Sequence, residues 1–445
     1  MSLLSMDRLR NCLEGIVPAG IATCDPDGMP NVTYISQLMY VDDVHIALSF
    51  QFFNKTRENI LANPVATVLM MDPDTAARYR LRIRYLRTET SGPLFERMKA
   101  KLAGIASHTG MVGVFRLRGA DIYRVLDIES VPGRTLPSAP LTPAALPALR
   151  RSADALATCN SIDALVDTLQ SALERHFGIE HQSLLMADCA AERLCVIASR
   201  GYANSGAGAE IAFGDGIVGV AAREGTPIRL MFPAVEYAYS RAVRDRIAPE
   251  DGLPEPGEEI PLPGLAAPAS QLAVPLLATG RCLGVLYVES RQLCRFNYDL
   301  EDALVTLCAQ FSLALRALQA EPGDDTSVTA PPPGAVPDGR PLRVRHFARD
   351  NSVFFDDTYL IKGVAGAILK RLLEIHVDSG RTEFSNRELR LDPCLRLPDI
   401  CDNLDTRLIL LTRRLIDRSD DVRLEKTGRG RFRLQLNRPI QLEHG

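Results

Sequence analysis

The stretch CDNLDTRLILLTRRLIDR (Cys401 to Arg418), followed by VRLEKTGRGRFRLQL (Val422 to Leu436), decides how this chain is read. Leu404, Leu408, Leu411 and Leu415 recur at the spacing that lines one face of a helix. The other side of that helix offers Asn403, Thr406, Arg407, Leu410 and Arg414. Gly428 and Gly430 then predict a turn among Lys426, Arg429, Arg431 and Arg433, hence an arginine-studded hairpin. Upstream, VAGAILKRLLEIHVDSG predicts a helix that buries Ile368, Leu369, Leu372, Leu373 and Ile375 and ends at Gly380. Ser385 with Glu388 forms a capping box for a second helix, and Val344 to Gly363 alternates enough for two or three strands. Helix, capped helix, basic helix and hairpin is the order a winged helix uses to place one helix in a DNA groove and a hairpin beside it. Everything upstream then reads as sensor.

Size and charge fit that division. At 445 residues the chain is too long for one ordinary domain. Its 46% hydrophobic and 24% charged residues are ordinary soluble composition, and no apolar run reaches the ~20 residues of a membrane span. The N-terminus lacks the features of a signal peptide. Ten scattered cysteines fit reduced thiols in a cytosol better than a disulfide framework. The net charge of −4 is uneven: residues 341–445 hold 17 Arg and 3 Lys against 16 acids, a surplus of +4, which leaves −8 for residues 1–340. A basic tail on an acidic body is consistent with nucleic-acid binding.

Two proline-rich segments, 132–150 and 321–341, read as linkers. The expected architecture is multidomain α+β: a split β-barrel over 1–131, an α/β sandwich over 151–320, and a C-terminal winged helix over 342–445.

In the first domain, GIATC (Gly20 to Cys24) and NVTYIS (Asn31 to Ser36) flank an Asp25-Pro26-Asp27-Gly28 turn, a hairpin signal. VHIALSF (Val44 to Phe50) and VATVLM add strands, Lys55 to Leu61 a short helix, and VFRLR (Val114 to Arg118) and IYRVLDI (Ile122 to Ile128) two late strands after a helix near 92–106. Many strands with few helices suggest a small barrel. With FQFFNKTRENILANPVATVLM (Phe50 to Met70), this order resembles the pyridoxamine-phosphate-oxidase-like split barrel, a flavin-binding fold. The resemblance implies FMN, with Lys55 and Thr56 at its phosphate, Asn54 nearby, and Ser36 and Gln37 beside the ring. A cation, a hydroxyl and free helical N–H groups at one place suit a phosphate. The competing reading makes Lys55 and Arg57 a solvated helix face. The oxidase family's substrate-phosphate arginines have no match here, so pyridoxamine-phosphate oxidation is disfavoured. Heme at His45 or His108 is a minor alternative.

In the second domain, Ser161 caps a helix with Ile162, Leu165, Val166, Leu169 and Leu173 on one face. FGDGIVGVAAREGTPIRL (Phe213 to Leu230), QLAVPLLATGRCLGVLYVES (Gln271 to Ser290) and FNYDLEDALVTLCAQFSLALRAL (Phe296 to Leu318) together resemble a GAF domain, a sensory and dimerising module. The element Gly214, Gly216, Ile217, Gly219 and Ala221 carries the likeness. It implies a ligand between the sheet and a lid, here the long segment 231–270. The cyclic-nucleotide motif of some GAF domains is not reproduced. Cys189, Cys195, Cys282 and Cys294 could hold an iron–sulfur cluster or sense oxidants, but without C-x-x-C spacing they read first as structural cysteines.

The last domain resembles the OmpR-type winged helix of transcriptional response regulators, on SNREL (Ser385 to Leu389), NLDTRLILLTRRL (Asn403 to Leu415) and TGRGRFRL (Thr427 to Leu434). The resemblance implies that Asn403, Thr406, Arg407 and Leu410 lie nearest the bases and Arg413 and Arg414 reach phosphates. Lys426, Arg429 and Arg431 would sit on the wing. Asp402, Asp405, Asp417, Asp420 and Asp421 crowd both helix ends, which weakens phosphate contacts and leaves protein binding as the competing use.

These readings lead to a cytoplasmic, homodimeric sensory transcriptional regulator in which flavin-type and GAF domains control DNA binding in response to a small molecule or redox state. A flavin-dependent oxidoreductase with regulatory domains and a signalling adaptor without DNA affinity are the alternatives. No catalytic residues and no metal site are assigned. Walker, H-E-x-x-H and G-x-S-x-G elements are absent, so hydrolase and phosphotransferase chemistry has no motif support.

Overall fold

A computed structural model describes residues 5–15, 17–35, 37–51, 54–108, 116–136, 145–188, 191–232, 260–320, 340–395, 404–428 and 430–444. Ser36, Cys189, Asn403, Arg429, most of the expected lid and nearly all of the second linker lie outside these residues.

The first domain opens with a 3-10 helix, Met6–Leu13. Strands β1 (Ala19–Cys24), β2 (Pro30–Ile35), β3 (Leu38–Asp42) and β4 (His45–Phe50), helix α1 (Lys55–Ala62), strands β5 (Val65–Met71) and β6 (Arg78–Glu89), helix α2 (Pro93–His108) and strand β7 (Gly119–Val131) follow. They form one seven-stranded sheet, ordered β2-β1-β5-β6-β7-β4-β3. Ile35 at one end of the sheet and Leu38 at the other share a core with Ile21, Val68, Leu81, Ile83 and Tyr123, so the sheet curls around its own centre. The β1–β2 hairpin forms as expected: Asp25 Oδ1 accepts from the N–H groups of Asp27 and Met29, and Gly28 takes φ +85°.

Three expectations need correction. The late strand pair is a single long strand: residues 116–118 are not in a strand, and β7 pairs along its length with β6. Strand β6, RYRLRIRYLRTE, is not among the expected elements although Arg78 to Tyr85 alternate. Leu81 and Ile83 are fully buried, while the arginines take the opposite face. The first linker also ends early, because helix α3 (Ala145–Ala157) begins inside it.

The second domain continues with α4 (Ile162–Phe177), β8 (His181–Asp188), β9 (Arg193–Arg200), β10 (Glu210–Ala212), α5 (Gly216–Glu224), β11 (Ile228–Leu230), β12 (Ser270–Ala278), β13 (Arg281–Ser290) and α6 (Tyr298–Ala320). Its six-stranded sheet runs β10-β9-β8-β13-β12-β11. Helix α4 starts where Ser161 accepts from Ala164 N–H and stops at Gly178, φ +62°. Helices α3, α4 and α6 bury their apolar faces on one side of the sheet. The other side is covered by α5 and by the first domain's α2, whose Ala100 and Ala103 join the same apolar cluster. The two domains therefore share a core.

They also share a buried ionic joint. Arg229 on β11, 4% exposed, donates to Glu14 from the first domain and to Glu301 on α6. Lys101 on α2 lies 3.0 Å from the same Glu14. Burial opposes ionisation of Glu14, but Lys101 and Arg229 outweigh it and hold its carboxyl below the usual range.

The third domain contains β14 (Leu342–Phe347), β15 (Ser352–Phe355), β16 (Thr358–Ile361), α7 (Gly363–Ser379), β17 (Glu383–Ser385), α8 (Asn386–Leu391), α9 (Leu404–Arg418), β18 (Val422–Gly428), β19 (Arg431–Leu436) and β20 (Ile440–His444). Strands β16-β15-β14-β20 make one sheet and β17-β19-β18 another. The expected leucine stripe of α9 is buried, and α7 ends at Gly380 with φ +70°. The capping box is half formed: Ser385 Oγ accepts from Glu388 N–H, but the Glu388 carboxylate pairs with Arg381 instead. Among the described residues, no helix is long and apolar enough to cross a membrane.

Candidate functional site: sensor pocket, barrel helix terminus and basic face

The motif glycines of the second domain build its pocket. Gly214 and Gly216 take φ +93° and +56°, turning the chain from β10 into α5. A Cβ on Gly219 would stand 2.2 Å from the carbonyl oxygen of Ala212, so only glycine lets α5 pack this closely. Between α5, the 262–264 segment and the sheet lies a cavity of about 20 Å³, lined by Asp215, Gly216, Leu262, Gln271, Tyr287 and Glu289 among others. That volume holds a single water.

The pocket floor is polar. Gln271 on β12 and Glu289 on β13 are cross-strand partners. Gln271 Nε2 donates to Tyr287 Oη, Tyr287 donates to Glu289 Oε2 at 3.0 Å, and Leu265 N–H donates to the other carboxylate oxygen. Burial pushes the Glu289 carboxyl above the usual carboxylate range despite these donors. Burial and the adjacent Glu289 also push Tyr287 well above its ordinary value. These residues were missed in the sequence. The available signal was a set of polar side chains at period-two positions inside two otherwise apolar strands.

In the first domain, Asn54 caps α1 by accepting from Arg57 N–H. Lys55 Nζ lies 3.4 Å from Asp25, and Thr56 Oγ1 accepts from Asn31 at 2.9 Å. Arg57 turns inward, pairing with buried Asp121 and donating to Thr88, so it is not part of the solvated face first read for it. Gln37 is 1% exposed, and among the described residues neither of its amide atoms has a partner. A half-exposed lysine and a hydroxyl at the start of α1 suit a phosphate, and the unpaired, buried Gln37 amide lies between β2 and β3.

Free thiols are dispersed. Burial pushes Cys195 up to about 12, and Cys294 upward as well. Among the described residues no group of three or more His, Cys, Asp or Glu could hold a metal ion. His45 is engaged by Asp42 at 2.9 Å.

The basic face of the third domain is already occupied. Arg407 Nη2 lies 2.5 Å from Asp188, Arg413 2.8 Å from Asp167 and Lys426 3.0 Å from Asp163, all carboxylates of the second domain. Thr406 and Leu410 are each 4% exposed rather than open to solvent. Arg414, expected to reach phosphates, is instead buried and donates to the Leu360 carbonyl within its own domain, where α9 crosses β16. Arg431 also has a partner.

Comparison with known proteins agrees with the first two domains. Residues 5–125 match the family described as Pyridoxamine 5'-phosphate oxidase, and residues 159–316 match the GAF domain family. No curated protein matches the chain. Among solved structures, the GAF domain of an Acinetobacter phosphoenolpyruvate-protein phosphotransferase is similar at 22% identity. It covers 42% of this chain and 100% of its own, with a TM-score of 0.32. An FMN-binding protein from Syntrophomonas wolfei is 18% identical over 29% of this chain and 90% of its own, with a TM-score of 0.24. Free methionine-R-sulfoxide reductase from Neisseria meningitidis is 20% identical over 40% of this chain and 95% of its own, with a TM-score of 0.31. The chain thus joins a pyridoxamine-phosphate-oxidase-type domain to a GAF domain, an arrangement of regulatory or sensory type.

Proposed function

We propose that this chain is a sensory transcriptional regulator whose C-terminal domain is a winged helix that contacts DNA. One observation carries the reading: Arg407 and Arg413 of α9 and Lys426 of β18 come together on a single face of that domain. A recognition helix and a hairpin that share one basic face match the charge and shape of duplex DNA. The barrel and the GAF pocket supply the signal. Lys55 and Thr56 would hold an FMN phosphate and Gln37 would face the ring; bound flavin would supply a reversible redox centre. The pocket's Gln271, Tyr287 and Glu289 would recognise a small polar effector. A homodimer through these domains would present two basic faces to paired half-sites.

The test is titration of a labelled mixed-sequence duplex with the full chain and with Asp188→Asn, across a range of salt. Affinity that falls steeply with salt supports the reading. No salt-dependent binding by either protein defeats it. The adaptor reading has its own supporting observation, since no residue from 404 to 415 is exposed, and that negative outcome would favour it.

A further inference from the structure

The contacts of α9 and the elements beside it form two sets. One packs the leucine stripe into the third domain, and the other fastens the opposite side to the second domain. In the second set, Asp163 and Asp167 stand one turn apart on α4, separated along the helix axis by about 6 Å. Asp188 ends β8. These three carboxylates receive Lys426, Arg413 and Arg407 in turn. Ser205 donates to Asp417 near the end of α9, and Lys362 lies 3.6 Å from Glu210. Between the charges, Leu410 is buried, and its Cδ1 lies 3.9 Å from where a Cβ on Gly208 would be. Leu410 belongs to the same apolar cluster as Leu184 and Leu286 of the second domain.

A helix that reads a major groove needs an exposed face to meet base edges. From 404 to 415 this helix has none. While Arg407 and Arg413 are seated against Asp188 and Asp167, the second domain stands where the groove of a duplex would have to lie. DNA and the acidic face are therefore competitors for the same side chains.

We propose that Asp163, Asp167 and Asp188 form an acidic docking surface that occupies the DNA-contacting face of the third domain and excludes duplex DNA until the two domains separate. The proposal rests on the DNA-binding reading above. The route from effector to release is short: Glu210, which faces Lys362, directly precedes Ile211, which lines the pocket. Movement of β10 on filling the pocket reaches the docked face through adjacent residues. Partly exposed ion pairs are individually weak, so docking depends on several acting together with the burial of Leu410, which suits a contact meant to open.

The experiment compares three full-length proteins binding one labelled mixed-sequence duplex at fixed low salt: wild type, D163N/D167N/D188N, and D27N/D74N/D127N. The last has the same net charge, but its changes lie on exposed positions of the first domain. Circular dichroism and thermal melting confirm that each variant folds. The docking variant is expected to bind roughly tenfold tighter than wild type, with the control near wild type. Equal tightening in both variants makes the effect one of net charge and overturns the proposal. Equal binding by all three overturns docking while the DNA reading stands. No binding by any of them overturns the DNA reading and the proposal with it.

Discussion

Arg407 Nη2 on α9 lies 2.5 Å from Asp188 Oδ2 at the end of β8, so a basic side chain of the third domain is held by the second domain of the same chain. Asp188→Ala should loosen this hold. Amide hydrogen exchange along α9 is expected to quicken while exchange in β5 and β6 of the barrel stays as it was. Unchanged exchange along α9 would show that the pair contributes nothing to docking.

The joint between the first two domains should be far more costly to disturb. Arg229→Met leaves Glu14 and Glu301 buried without their shared cation. A loss of about 3–5 kcal/mol is expected for breaking such a pair, read as a fall in the denaturant midpoint. Glu14 also sets a pH dependence. Its folded pKa lies below the ordinary value of 4.5, so its contribution is full above that value and is lost as pH falls through the lower folded value. Arg229→Met should flatten that part of the acid-unfolding profile.

Glu289 has the opposite sign. Its folded pKa is raised by burial, so its stabilising form is the protonated one and the contribution is lost as pH rises through the folded pKa. Glu289→Gln keeps an acceptor for Leu265 N–H without the buried charge. The variant should melt roughly 2–4 °C above wild type at mildly alkaline pH, with the gap closing below the ordinary carboxylate value. A gap that does not change with pH would point to packing rather than charge.

Gly219→Ala should destabilise the second domain by about 1–3 kcal/mol, because the new methyl meets the Ala212 carbonyl oxygen, a backbone atom that cannot swing aside. Thermal melting followed by circular dichroism reads the loss. The same substitution at Gly280, where nothing lies within 4 Å, tests only the cost of its φ of +74°.

Flavin binding is read directly from quenching of FMN fluorescence by the full chain. Lys55→Ala is expected to weaken it roughly tenfold by removing the phosphate cation, and Gln37→Ala to weaken it through the ring. Failure of wild type to quench FMN at any protein concentration would remove the flavin from the sensing scheme.

Periodicity and turn chemistry made much of the fold legible. The leucine stripe of α9, the Ser161 cap of α4, the Asp25–Gly28 turn and the glycine motif of the pocket are local patterns, set by spacing along one helix or one turn. Strand β6 is equally local, but arginine at positions 78, 80, 82 and 84 masks the four residues that carry its inward face, Tyr79, Leu81, Ile83 and Tyr85. Arg414 was misplaced for a different reason. Helical spacing gives the side of a helix but not what the neighbouring strand offers, and here the Leu360 carbonyl draws the guanidinium inward.

The chain's local order thus settled most of its elements, the match of two segments to known domains and the presence of a basic helix beside a basic hairpin, because each of these depends on residues close together in sequence. Which side chains were free depended on contacts between residues hundreds of positions apart. Arg407 with Asp188, Lys426 with Asp163 and Arg229 with Glu14 are such pairs. No one-dimensional pattern encodes their meeting, since charge attracts at a distance set by packing and not by position in the chain. The tertiary structure alone decided that the pocket floor is a polar network and that the basic face is already held.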